Sequence, residues 1–136
     1  MTSNNDNPDT DEIIYLTMND FYNINAEVTE MQPFVRDQRL LRSAAARPML
    51  VVFGEEQFPT RIDKAAAMLH SLAYHHLFTD GNKRTAARAV ELFLQHNGLA
   101  LTWDDDFAKQ FILEVAQGKH EPEDIAEVLQ EYTQPL

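Results

Sequence analysis

Apolar residues recur at intervals of three and four along most of this chain, in segments that open on a capping side chain and close on glycine or proline. Thr17-Met18-Asn19-Asp20 and Thr60-Arg61-Ile62-Asp63 each set a threonine and an aspartate three residues apart, where their side chains satisfy the first free amides of a helix. The first such helix runs to about Met31, ahead of Pro33. A second begins near Asp37 and continues through LLRSAAAR to Pro48, and the segment 49–59, with Gly54 and Pro59, reads as a loop serving as a flap. The best-defined helix spans about 60–78, its inner stripe Ile62, Ala65, Ala66, Leu69, Leu72 and Ala73 ending on His76, whose ring is expected to face the core side at the mouth of a loop. Thr79-Asp80-Gly81 breaks it, and the next helix runs from about Asn82 to a glycine stop at Asn97-Gly98. Residues 99–103 form a short extended link. Asp104 caps a helix that carries Phe107, Phe111, Ile112 and Val115 and ends at Gly118; Pro122 suits the first turn of a last one.

No series of strands and no internal repeat is present, so the expected fold class is all-α: a compact bundle of about six helices with a loop of functional residues between two central ones. At 136 residues it reads as one domain, placed at 13–134 behind an acidic, aperiodic and therefore disordered tail at 1–12. The longest apolar run, Met49 to Phe53, is far too short to span a bilayer, and no secretory leader is recognisable, which fits a cytoplasmic protein. With no cysteine, disulfides, thiolate metal sites and cysteine nucleophiles are excluded.

Charge is unevenly spread. The net −11 argues against direct nucleic-acid binding, yet residues 36–88 hold nine bases (Arg36, Arg39, Arg42, Arg47, Arg61, Lys64, Lys83, Arg84 and Arg88) against five acids. An acidic protein that gathers its cations in one segment can keep an anion there, although solvated helix faces would give the same count.

Chemistry concentrates in His76 to Arg84, HLFTDGNKR. A histidine takes a proton near neutral pH. Asp80 offers a carboxylate to a hard cation such as magnesium. Gly81 permits a backbone conformation other residues resist and leaves no side chain in the way of a ligand. Asn82, Lys83 and Arg84 then open a helix whose free amides and dipole favour an anion, with two cations at the same place. A base, a metal-binding carboxylate, a glycine turn and a cationic helix start are the parts phosphoryl transfer needs. Phe78 reads as the aromatic anchor that pins the loop to the core.

This run resembles the signature of the Fic/Doc (Fido) superfamily, His-x-Phe-x-Asp/Glu-Gly-Asn-Gly/Lys-Arg, and lysine before the arginine points to the death-on-curing (Doc) toxin branch. VRDQRLLRSAAARP at 35–48, KAAAMLHSLAYHHLF at 64–78 and AVELFLQHNGLALT at 89–102 agree, so the resemblance covers roughly residues 13–130. It implies that His76 is the catalytic base for a target hydroxyl, that Asp80 is the Mg2+ ligand, that Gly81 and Asn82 cradle phosphate, and that Lys83 and Arg84 bind the phosphates of ATP as co-substrate. Where AMP-transferring Fic enzymes have proline after the histidine, glycine before the arginine and a second arginine three residues on, this chain has Leu77, Lys83 and Ala87. Arg88 is one residue late, about 100° around a helix, and cannot simply substitute.

In the Doc branch such changes accompany an inverted nucleotide and transfer of the γ-phosphate, so the implied function is that of a toxin phosphorylating a protein Ser/Thr hydroxyl, with a translation factor as the type of target. AMP transfer is the alternative, since Gly81 is closer to the Fic form than the alanine of some Doc toxins. A non-catalytic protein-binding module is the third reading. No self-inhibitory Ser/Thr-x-x-x-Glu-Gly/Asn stretch occurs, which implies restraint by a separate Phd-like antitoxin docking near residues 13–60. His70, His75, His76 and His96 do not pair at helical i,i+4 spacing, which speaks against a zinc centre. Arg36 and Asp37 either line the site or merely start a helix.

Overall fold

The computed structural model describes residues 12–136, and the tail expected at 1–12 lies outside them except for Glu12. Six α-helices account for most of the described chain: α1 Met18–Thr29, α2 Gln38–Ala46, α3 Arg61–Tyr74, α4 Asn82–His96, α5 Asp105–Ala116 and α6 Pro122–Glu131. A 3-10 turn, Arg47–Met49, extends α2. Both Thr-x-x-Asp sequences form complete capping boxes, at Thr17–Asp20 and Thr60–Asp63, and Asp104 accepts from the Phe107 amide. Asp37 accepts from the amides of Arg39 and Leu40, each at 3.0 Å, so it is the cap of α2.

Helix α3 is the central element. Its residues Ile62, Ala65, Ala66, Met68, Leu69, Leu72 and Ala73 are all buried, and it packs most extensively on α4 and α6. The alanines let the neighbouring helices approach closely, while Phe21 of α1 and Phe93 of α4 fill the space beside them. Trp103, Phe107, Phe111 and Tyr132 form an aromatic cluster between α5 and the chain end.

Two small antiparallel pairs were not anticipated. Strands β1 (Val51–Val52) and β2 (Glu55–Glu56) make a hairpin within the expected flap, and β3 (Leu99–Leu101) pairs with β4 (Thr133–Pro135) in the register Leu99–Pro135. Strands of two or three residues are too short to show an alternating pattern. The hairpin turns at Phe53 and Gly54, both with positive φ, and Phe53 is wholly exposed.

A second difference bears on the site. Helix α3 ends at Tyr74 rather than near 78; His75 is already extended, at φ −89° and ψ 139°. Once the helix has ended, its spacing of three and four no longer decides which side chains face the core. Leu77 and Phe78 go inward while His76 is exposed, which corrects the expectation that its ring ends the inner stripe.

Candidate active site

The loop from His75 to Gly81 is held from three sides. Residues 34–36 run beside it: Arg36 N–H donates to Leu77 O at 2.8 Å, Thr79 N–H to Phe34 O at 3.1 Å, and Val35 pairs with Phe78. From α1, the buried Asn25 donates through Nδ2 to Asp80 O at 2.8 Å and to Thr85 Oγ1 at 3.1 Å. From α4, the Asn82 side chain closes a ring with the Phe78 backbone. Phe78 itself is buried, as an anchor should be.

Helix α4 starts without a side-chain cap. Its N-cap is Gly81, at φ 76°. A Cβ added there would lie 2.5 Å from Thr29 Cγ2 and 3.2 Å from Asn25 Nδ2, so α1 already fills the space beside the glycine. The first amides of α4 therefore face the loop with the helix dipole behind them, at a place where a phosphate is the natural acceptor.

The structure arranges the charged residues around that start. Asp80 accepts from Gly81 N–H at 2.8 Å and lies 3.8 Å from Arg84 Nη2; both contacts fall on its Oδ1, and its side chain is exposed. Arg84 also donates through Nη1 to Val28 O at 2.7 Å, near the carboxyl end of α1. Lys83, Arg84 and Ala87 form one wall of a cleft of about 430 Å³, and Asp105, Asp106, Lys109 and Ile112 of α5 form the other. Arg88 points elsewhere, donating to Glu91 at 2.6 Å and lying 3.7 Å from Glu27, so it leaves the cleft as the helical angle foretells. Arg36 touches the loop through its backbone amide, and Asp37 serves as a cap.

Among the described residues no three acids or histidines gather into a metal cage. The donor set suits magnesium nonetheless, because that ion keeps several waters and takes one carboxylate together with substrate phosphates. Asp80, exposed beside the α4 start, is a carboxylate that could take that part.

Asn25 was not picked out beforehand. It lies on the inner stripe of α1 with Phe21 and Ile24, and a polar residue at a buried position needs a partner. That spacing was the available signal.

A helical fold in which a His-to-Arg loop joins two central helices, with an uncapped cationic helix start behind it, is an arrangement able to hold an anion. The chain belongs to the Fic/DOC family, whose model matches residues 15–94, more than half of its length. Toxin Doc of Mycolicibacterium smegmatis (strain ATCC 700084 / mc(2)155) is 50% identical over 84 residues, covering 60% of this chain and 65% of that protein. The match thus spans slightly less than two thirds of the relative.

Proposed function

We propose that the protein is a Doc-like toxin of a toxin–antitoxin pair that transfers the γ-phosphate of ATP to a Ser or Thr hydroxyl of another protein. The family membership and the relative named Toxin Doc support the toxin assignment. The observation that carries the choice of phosphate is the cleft wall: Lys83 extends beside Arg84 where AMP-transferring enzymes have glycine, and Ala87 leaves open the position of their second arginine.

In this reading His76 takes the proton of the target hydroxyl as that oxygen bonds to the γ-phosphorus. The bond from the γ-phosphorus to the β–γ bridging oxygen breaks, and ADP leaves. Exposure suits His76, since the hydroxyl arrives on another protein. Asp80 would hold the Mg2+ that accompanies the nucleotide, and the ion would offset charge on the phosphates. Asn82 has its side-chain amide committed to Phe78, so its part in the cradle is its backbone N–H, next to that of Lys83. Lys83 and Arg84 neutralise phosphate charge from the cleft side. A Phd-like antitoxin acting in trans is the partner, a translation factor the type of target, and the cytoplasm the compartment. Among the described residues no helix is long and apolar enough to cross a membrane.

AMP transfer remains the second reading, favoured by Gly81. Incubation with MgATP and a bacterial lysate separates them. Label from the γ-position, lost in His76→Ala, is the expected result. Label from the α-position would make the protein an AMP transferase, and absence of any His76-dependent label would leave a binding module.

A further inference from the structure

A second cavity, of about 450 Å³, opens between α2, the 47–49 turn and α3. Leu40, Ala44, Ala46, Leu50 and the Tyr74 ring give it apolar walls, and Arg47, His70 and His75 bring it polar groups. It adjoins the loop, because His75 immediately precedes His76, and it reaches the hairpin, because Leu50 leads into β1.

Arg47 is half-buried and unusually placed. Both of its side-chain hydrogen bonds leave from Nη1, to His70 Nδ1 at 2.9 Å and to Ser71 Oγ at 3.0 Å. Arginine only donates, so His70 Nδ1 accepts and the ring proton sits on Nε2. The His70 ring is stacked on Tyr74, centroids 5.4 Å apart, and the Arg47 guanidinium lies 5.6 Å from the Phe58 centroid. Every one of these partners is neutral. Among the described residues no carboxylate forms an ion pair with Arg47, and the acids acting on it, Glu121 and Glu123, do so at longer range. A desolvated guanidinium held by neutral acceptors retains both charge and donors for an anion.

We propose that this cavity receives an acidic side chain of the protein being modified, with Arg47 taking the carboxylate and the Leu40, Leu50 and Tyr74 walls taking its stem and an apolar neighbour. The cavity would then select acceptor sites that carry glutamate or aspartate near the modified hydroxyl. The assignment to the modified protein rests on the transfer reading above, whereas the chemistry of the pocket is read from Arg47 alone.

The test is a binding measurement that involves no catalysis. The probes are two blocked peptides, Ac-Leu-Glu-Leu-NH2 and Ac-Leu-Gln-Leu-NH2, titrated into the full chain while the His70 and His75 ring resonances are followed. The glutamate peptide should shift both resonances saturably, and the glutamine peptide should bind at least about tenfold more weakly. Arg47→Gln should abolish the difference. Ser43→Glu, at an exposed position on the rim, should block the glutamate peptide by supplying a carboxylate from within while leaving the melting temperature intact. Equal shifts with both peptides, no shifts at millimolar peptide, tighter response to inorganic phosphate, or unchanged binding in Ser43→Glu would each overturn the proposal. If the glutamate peptide binds as expected yet no label is transferred in the lysate, the transfer reading fails and the carboxylate pocket stands. If label is transferred and acidic neighbours have no influence, the pocket fails alone.

Discussion

Asn82 and Phe78 close a two-bond ring: Asn82 Nδ2 donates to Phe78 O at 2.8 Å, and Phe78 N–H donates to Asn82 Oδ1 at 3.0 Å. An amide side chain carries both the donor and the acceptor that these two backbone atoms need. The ring fixes the loop against the start of α4 and so sets where His76 and Asp80 lie relative to the helix amides. Asn82→Ala should destabilise the protein by about 1–3 kcal/mol, because two partly buried backbone groups lose their partners. Asn82→Asp keeps the acceptor but turns an oxygen towards the Phe78 carbonyl, and it should abolish label transfer as well. Chemical denaturation together with hydrogen exchange at the Phe78 amide checks the stability of both variants and the labelling assay checks transfer in Asn82→Asp; retained protection of that amide in Asn82→Ala would show the ring to be dispensable.

Gly81 is constrained twice, by its left-handed backbone and by the methyl of Thr29. Gly81→Ala should cost about 1–2 kcal/mol for the conformation, and about 1–3 kcal/mol more for the overlap. Thr29→Ser removes the methyl and keeps the hydroxyl that donates to Asn25 O at 2.7 Å. The double variant Gly81→Ala/Thr29→Ser should therefore recover the overlap part alone. Simple additivity of the two single effects in a double-mutant cycle would show that Thr29 does not confine this position.

These two sites also show what the sequence could and could not reveal. Caps and glycine stops act over three or four residues, so Thr17, Thr60, Asp104 and Gly98 placed the helices nearly to the residue. The end of α3 escaped because residues 77–79 find their backbone partners at 34–36, far away in the chain, and no local pattern records that pairing. The stripe through Leu72 and Ala73 continues to His76 only if the helix does. The motif itself was legible from residue types. The restraints on it by Asn25, Thr29 and the 34–36 segment were not, because they are tertiary.

Lys64 is fully buried, yet its ammonium is saturated: Nζ donates to Phe58 O at 2.6 Å, to Glu56 Oε1 at 2.9 Å and to Pro48 O at 3.3 Å. All three acceptors lie on the 48–58 segment, whose hairpin strands are themselves exposed. The Lys64 side chain thus ties this segment to α3, and the exposed hairpin strands bury no core of their own. Lys64→Met should cost about 1–3 kcal/mol for each carbonyl left without a donor and should raise hydrogen exchange across 49–58. Glu56→Gln should cost less than about 1 kcal/mol, because the carboxylate is largely in solvent. Equal effects of the two variants would show that the ion pair, and not the carbonyl bonds, holds the segment.

His70 makes the Arg47 pocket sensitive to pH. Its pKa lies below the ordinary histidine value, first because burial disfavours the imidazolium and then because the Arg47 guanidinium repels it; Glu121 and Glu123 act the other way, and His75 adds to the lowering. The folded protein therefore binds a proton here less readily than the unfolded chain does. That contribution to stability is complete above the unfolded value of 6.5 and is lost as the pH falls through the lower folded value. Protonation also removes the lone pair that accepts from Arg47, so the bond at 2.9 Å breaks and two cations face each other. Melting temperature measured from pH 7.5 down to 5 should decline in the wild type, and His70→Gln, whose side-chain oxygen still accepts, should flatten that part of the decline. An identical profile in the variant would place the acid sensitivity in other groups. Glu114 is not such a group: its carboxyl is held below its ordinary value of 4.5, first by the hydrogen bond to His120, so its contribution fades only below this pH range.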